Sequence, residues 1–260
     1  MSRTALSRPE AIGLPAVGVV LAVAGWWLAT DLLNIRVFFL PGPADVATAF
    51  REHPSYLARE GWTTLVQTLA GFGIATVAGL ATALLLASSR RIEQTMLPLV
   101  VALNAIPKVA LAPLLVLWLG FEAAPKISLA ALICFFPIVV AGMAGLTSTP
   151  ADLGELASSL SATRWQAFVK VRIPWALPQV FVGLKLAVTL AVIGTVVAEF
   201  RTPNSGLGMI IVNATQQIDT PLAFAAITVL MVMSIVLFYG TALAERLLLP
   251  WARQTVAART

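Results

Sequence analysis

Apolar run length is what most constrains this chain. Six stretches, at about 11–31, 62–87, 97–119, 127–147, 177–198 and 222–244, are each long enough to cross a bilayer as a helix. A hydrocarbon core of roughly 30 Å takes about 20 helical residues. No water is available there, so the backbone polar groups must be satisfied internally. The expected fold is therefore all-α and integral to the membrane, with about six transmembrane helices. Composition agrees: 59% of the 260 residues are hydrophobic and 11% charged, against roughly 25% charged in a soluble domain. Mean hydropathy is +0.90. Arg3 and Arg8 precede the first apolar stretch, but its length exceeds the roughly 7–15 residues of a signal-peptide core. It reads as a retained first span.

Several function classes recede at once. The net charge of +5 is spread singly or in pairs, with no continuous basic stripe for a nucleic acid. Cys134 is the single cysteine and His53 the single histidine, so no Cys- or His-based metal site is expected. A membrane-embedded enzyme needs clustered His, Asp, Glu or a Ser/Lys dyad at one depth. A proton-coupled carrier would want carboxylates deep in its helices. Neither pattern is present.

Orientation follows from the basic residues. With both termini cytoplasmic, the inner side holds Arg3, Arg8, Arg90, Arg91, Arg164, Lys170, Arg172, Arg246, Arg253 and Arg259; the outer side holds Arg36, Arg51, Arg59, Lys126 and Arg201. The first outer connection carries Leu40-Pro-Gly-Pro43 and then a short surface helix with Ala47, Phe50 and Tyr56 on its apolar side. Gly71, Ala75 and Gly79 put small residues four apart on one face of the second span, which lets a neighbouring helix approach closely.

The most informative stretch is the cytoplasmic segment 149–174, too polar to span but rich in helix signals. Thr149-Pro-Ala-Asp152 offers an N-cap, a proline at the first helical position and an acid. Thr163-Arg-Trp-Gln166 has the capping-box pattern. Pro174 should end the second helix near Arg172. A coupling helix pair results. Leu153, Leu156, Ala157 and Leu160 share one face, and Trp165, Phe168 and Val169 form an apolar patch. So small a pair needs something to pack on, either the protein's own helix ends or a partner.

Glu155-Leu-Ala-Ser-Ser-Leu-Ser161, nine residues, then Val171-Arg-Ile-Pro174 resembles the cytoplasmic signature of ATP-binding-cassette import permeases. Leu156 stands where that signature has Ala and Ser161 where it has Gly, which leaves the turn less free to take positive φ. Ile106-Pro-Lys-Val-Ala-Leu-Ala-Pro113, Leu117-Trp-Leu-Gly120, Phe135-Phe-Pro-Ile138, Glu199-Phe200 and Gly206-Leu-Gly208 are similar to the nitrate/sulfonate/taurine branch of binding-protein-dependent inner membrane components. The resemblance implies one permease domain over 1–260, with a core transport region at about 58–247. It implies a bacterial inner-membrane subunit that is not an enzyme and binds no cofactor, with ATP and Mg on two copies of a separate ATPase. A periplasmic or lipid-anchored substrate-binding protein and a second permease chain, as a homodimer, would complete the importer. Glu155, Leu156, Ala157, Leu160, Ser161, Trp165 and Phe168 would meet the ATPase. The chain contains no G-x-x-x-x-G-K-[ST] phosphate loop of its own.

Charges inside a membrane are functional candidates by default. Lys108, beside Pro107 in the third span, is a candidate for the translocation pathway. Glu199, at the outer end of the fifth span, is a second, either paired with Arg201 or at the outer mouth. Lys185 is expected to snorkel along its stem to the cytoplasmic interface. The branch implies small oxyanions or organosulfonates as cargo, with pyrimidine precursors or other organic solutes as the alternative.

Overall fold

A computed structural model describes residues 8–202 and 204–251; of these, the side chains of residues 8–16, 151, 158 and 164 lie outside the description. Arg3, Arg253 and Arg259, used above for orientation, are also outside it. The chain begins with α1 (Arg8–Leu32), followed by the short α2 (Pro43–Glu52). Next come α3 (Pro54–Ala87), α4 (Arg90–Ala105), α5 (Ala112–Leu119) and α6 (Ala123–Thr147). The segment after α6 holds α7 (Ala151–Ser159) and α8 (Arg164–Ala167), which leads into α9 (Ile173–Glu199). Short α10 (Leu207–Gln216) and long α11 (Thr220–Leu248) complete it. Among the described residues there is no strand.

Four helical stretches are long and apolar enough to cross a membrane: Pro54–Ala87, Ala123–Thr147, Trp165–Glu199 and Thr220–Leu248. A fifth crossing is α4 with α5, bent by 71° around Ile106-Pro107 and a 3-10 turn at Lys108–Leu111. The expected third span is thus broken beside Pro107. Proline lacks the N–H that would continue the helix and pushes the residue before it to extended geometry; Ile106 has ψ 127°. The expected first span is α1, whose described apolar part is Val17–Leu32. It lies at the periphery, touching the bundle through Trp26 beside Phe224, ring centroids 6.3 Å apart.

Two boundaries differ from expectation. The second span starts at Pro54, not 62, because His53 and Pro54 form its N-terminus and Leu57 and Glu60 in its first two turns are buried in the bundle. The fifth starts at Trp165, because Pro174 does not end the helix. A π turn at Phe168–Arg172 precedes it, and this wider turn has room for a residue that cannot donate. Short α2 packs through Val46 and Ala49, not Ala47, against Leu207, Ile210 and Ala225. Its Gly42 N–H is held by Asp45 at 2.8 Å.

The centre of the bundle is α3, α6 and α9. Alignment of Gly71 with Ala130 and of Gly79 with Ile138 makes α3 and α6 parallel; Gly145 against Ala176 and Gly194 against Ala130 make α9 antiparallel to α6. The starts of α3 and α6 therefore meet the end of α9 at one end of the bundle, and segment 149–164 sits at the other. A Cβ on Gly71 would lie 2.6 Å from the Ala130 Cβ and 2.8 Å from the Ile127 carbonyl, whereas a Cβ on Gly73 meets nothing within 4 Å. We expect Gly71→Val to separate α3 from α6 and destabilise by about 1–3 kcal/mol, the usual cost of overpacking. Gly73→Val should be neutral. Apparent melting temperatures of the two purified variants check this pair.

Candidate functional site

Segment 149–174 forms the anticipated helix pair, with its capping box complete. Thr163 N–H donates to Gln166 Oε1 at 2.9 Å, and Gln166 N–H to Thr163 Oγ1 at 3.2 Å. At the end of α7, Ser161 takes φ +54° despite its Cβ. The Ala162 N–H reaches back to the Ala157 carbonyl at 3.0 Å, the long-range bond of a Schellman stop. The turn thus has the bend a glycine would favour, at a strain of roughly 1–2 kcal/mol. Thr149 does not cap α7. The helix starts at Ala151, and the Thr149 hydroxyl is buried without a partner. Trp175 Nε1 donates to the Ser148 carbonyl at 3.2 Å, tying the end of α6 to the start of α9.

The expected contact residues divide into two groups. Leu160 and Trp165 are 74% and 71% exposed, and Leu156 and Glu155 are also exposed. Phe168 is half-buried, its ring 6.0 Å from that of Trp165. Ala157 is buried, which corrects its assignment to an outward interface: a methyl group facing α8 lets the two short helices close on each other. Leu153, Leu156 and Leu160 face Ala167 and Val171 across a groove of about 320 Å³. On the other side, Glu155 stands with Arg90, Glu93 and Arg172 around an open polar cleft of about 1300 Å³.

The two membrane candidates part company. Lys108 is half-buried in the corner of the broken span, where its Nζ donates to Asn104 Oδ1 at 2.5 Å and to the Asn104 carbonyl at 3.1 Å. Glu199 is 1% exposed. Its Oε1 accepts from Thr64 Oγ1 at 2.8 Å and its Oε2 from the Gly208 N–H at 2.7 Å. It therefore lines no open passage in this structure, and it does not pair with Arg201. A donor-rich loop turns back over it and closes it off.

That loop is held by residues that sequence reasoning passed over. Glu60 Oε2 accepts from the Gly206 N–H at 2.7 Å, and Thr64 Oγ1 accepts from the Leu207 N–H at 2.9 Å. Lys126, counted above as an outer loop charge, is 0% exposed and donates to the Ser205 carbonyl and Oγ, both at 2.9 Å. Below this hub, Thr68 donates to Thr195 at 3.0 Å. Lys185 does not snorkel freely: its Nζ sits 2.8 Å from Glu245 Oε2, joining α9 to α11. A usable signal existed for the hub. Two glycines one residue apart, just after a carboxylate at a helix end, are a natural place for backbone N–H groups to meet it.

Gly206 has φ +103° and ψ 166°, a region open essentially to glycine alone. A Cβ there would also overlap the Glu199 carboxylate. Gly206→Ala should therefore cost at least about 1–3 kcal/mol of strain, plus the lost buried hydrogen bonds. We expect a lower apparent melting temperature for the purified protein, while Gly154→Ala, whose added Cβ would meet nothing within 4 Å, should not lower it.

Residues 75–253 match the family model described as binding-protein-dependent transport system inner membrane component. A riboflavin transport system permease protein of Chloroflexus aurantiacus is 38% identical, over 93% of this chain and 90% of its own length. A formylaminopyrimidine transport permease protein of Halalkalibacterium halodurans is 33% identical, over 92% and 96%. A Bacillus subtilis permease named for aliphatic sulfonates is 32% identical, over 92% and 87%. Among solved structures, an inward-facing methionine ABC transporter aligns with a TM-score of 0.65 at 19% identity, over 74% of this chain and 95% of that one, which supports the fold alone. Permeases of this kind act with ATP-binding subunits and a substrate-binding protein. The chain belongs to the binding-protein-dependent inner membrane component family: it is a multi-pass permease subunit of an ATP-binding-cassette importer, not an enzyme.

Proposed function

We propose that segment 149–174 is the element through which a separate ATPase drives this permease. The observation that carries the reading is the exposure of Leu156, Leu160 and Trp165 on a small, well-capped helix pair at one end of the bundle. Large apolar side chains displayed together mark an interaction surface, and a tryptophan at such a place is a typical anchor. Glu155, Ser161 and Phe168 complete the contact, with Ala157 behind it holding the pair closed. This end faces the cytoplasm, as do both termini, in keeping with the basic residues gathered there. Two ATPase subunits, which hold the ATP and Mg, engage two copies of this chain. The homodimer encloses the pathway, with Lys108 at the corner of the broken span facing it. A substrate-binding protein delivers cargo at the opposite end.

For the cargo we propose a small heteroaromatic solute of the flavin or pyrimidine type. The 38% and 33% identities to permeases named for riboflavin and formylaminopyrimidine support this. The organosulfonate reading has its own support in the motif set, in the cation of Lys108 and in the 32% identity to the sulfonate permease. Calorimetric titration of the partner binding protein with riboflavin, formylaminopyrimidine and taurine separates the readings. The proposal expects saturable binding of a ring compound, and binding of taurine alone would reverse it.

Glu155→Lys should leave membrane insertion intact and lower uptake at least tenfold, with weakened ATPase association. Co-purification and vesicle uptake measure the two effects. Unchanged values in both would remove the coupling assignment.

A further inference from the structure

The helix that starts at the Thr163 capping box does not stop where segment 149–174 ends. It runs unbroken through the π turn as Trp165–Glu199, 35 residues, or about 50 Å at ~1.5 Å per residue. Its last residue is Glu199, whose carboxylate holds the Gly208 N–H at the start of α10. One continuous helical stretch thus has the candidate coupling surface at one end and a buried hook at the other.

The hook is reinforced from both neighbouring helices. From α3, Glu60 holds the Gly206 N–H, and Thr64 joins the Leu207 N–H to Glu199 through a single hydroxyl. From α6, Lys126 holds Ser205. Four successive residues, 205–208, are each bound by a side chain from the α3–α6–α9 trio. All of these side chains are buried, so water cannot replace a bond that breaks. Losing one partner would leave a buried polar group unsatisfied, at a typical cost of about 1–3 kcal/mol and more for a charged group. The α10 helix itself packs on α11 and α2 through Leu207, Met209 and Ile210, at the end away from segment 149–174.

We infer that Glu199, supported by Glu60 and Lys126, is a positioning residue for transport: it makes α10 move as one body with α9, so that displacement of the coupling segment is delivered to the substrate-entry end. This rests on the coupling reading above. In this arrangement α10 follows α9, and the grip stays closed through the cycle.

The grip has a direct readout, because the donors at 206–208 are backbone amides. Their exchange with deuterium reports whether the bonds open. The assembled importer in lipid is compared nucleotide-free and with ATP trapped. Exchange in the peptide spanning 205–209 should stay slow and agree within about twofold between the states, since a closed grip hides the same amides in both. Faster exchange in either state shows that the grip opens, and overturns the inference.

Glu199→Gln supplies the second measurement. It should speed exchange in that peptide and lower substrate taken up per ATP at least tenfold, while ATP hydrolysis persists. A purely structural role would lower assembly and hydrolysis together, and unchanged uptake per ATP in an assembled variant also overturns the inference. If the variant fails to assemble, the exchange comparison on the unaltered chain decides. Glu155→Lys is measured in parallel. Unchanged uptake and unchanged ATPase association in that variant remove the coupling reading, and the grip stands by itself if Glu199→Gln is still defective.

Discussion

Close approach of α3, α6 and α9 is the constraint on which the other features depend. In lipid there is little hydrophobic gain when one apolar helix meets another, so association rests on packing and on interhelical polar contacts. This chain provides both along the same faces. Small residues let backbones touch at Gly71 against Ala130, Gly142 against Ala83, and Gly194 against Ala130. Buried side-chain pairs gather at one end of that seam, where Thr68 meets Thr195 and Glu199 meets Thr64. Were the glycine faces wider, the carboxylates could not reach the 206–208 amides. Tight packing along the seam therefore places the hub.

Proline shows how context decides a local rule. At Pro107 the helix breaks and turns by 71°; at Pro174 it continues. The difference lies in what surrounds each residue. Lys108 turns back onto Asn104 at the first corner, satisfying groups the break exposes, while α4 has no residue buried in the bundle to hold it straight. Around Pro174 the chain is clamped from both sides. Ala176 packs under Gly145 and Trp175 is tied to Ser148, so a π turn absorbs the missing donor. The same residue type thus breaks a helix where its neighbours are free to turn and is carried through where they are clamped.

Much of the architecture was legible because length and apolarity act locally. The spans, the Thr163 capping box and the small-residue face of α3 all follow from residues near one another in the chain. What escaped was long-range. Lys126 looked like a loop charge, and Glu60 drew no notice, because hydropathy counts a charge against the bilayer. It cannot register a partner 146 residues away, as Glu60 has in Gly206, or 79 away, as Lys126 has in Ser205. Lys185 looked free to snorkel for the same reason, its partner Glu245 lying 60 residues on. Ala157 was misplaced in the opposite sense: helix periodicity put it on the apolar face but could not say that α8 would cover it. Ser161 illustrates a third limit, since its residue type argued against a conformation that the Ala162–Ala157 hydrogen bond imposes.

Burying Glu60, Glu199 and Lys126 together is costly, at several kcal/mol per ion even after relaxation, and packing alone would be served as well by apolar residues of similar size. The arrangement is intelligible if direction matters more than net stability. A leucine at 199 could fill the same space, but it would allow α10 to slide over the end of α9. A carboxylate bonded to one backbone N–H fixes both register and angle, and charge-assisted bonds are the stronger kind. Each of the three ionic side chains comes from a different long helix, and they converge on Ser205, Gly206 and Gly208, where the chain enters α10. Such a joint fixes the start of α10 against three helices at once, as a distal element needs if it is to follow a helix whose other end lies about 50 Å away.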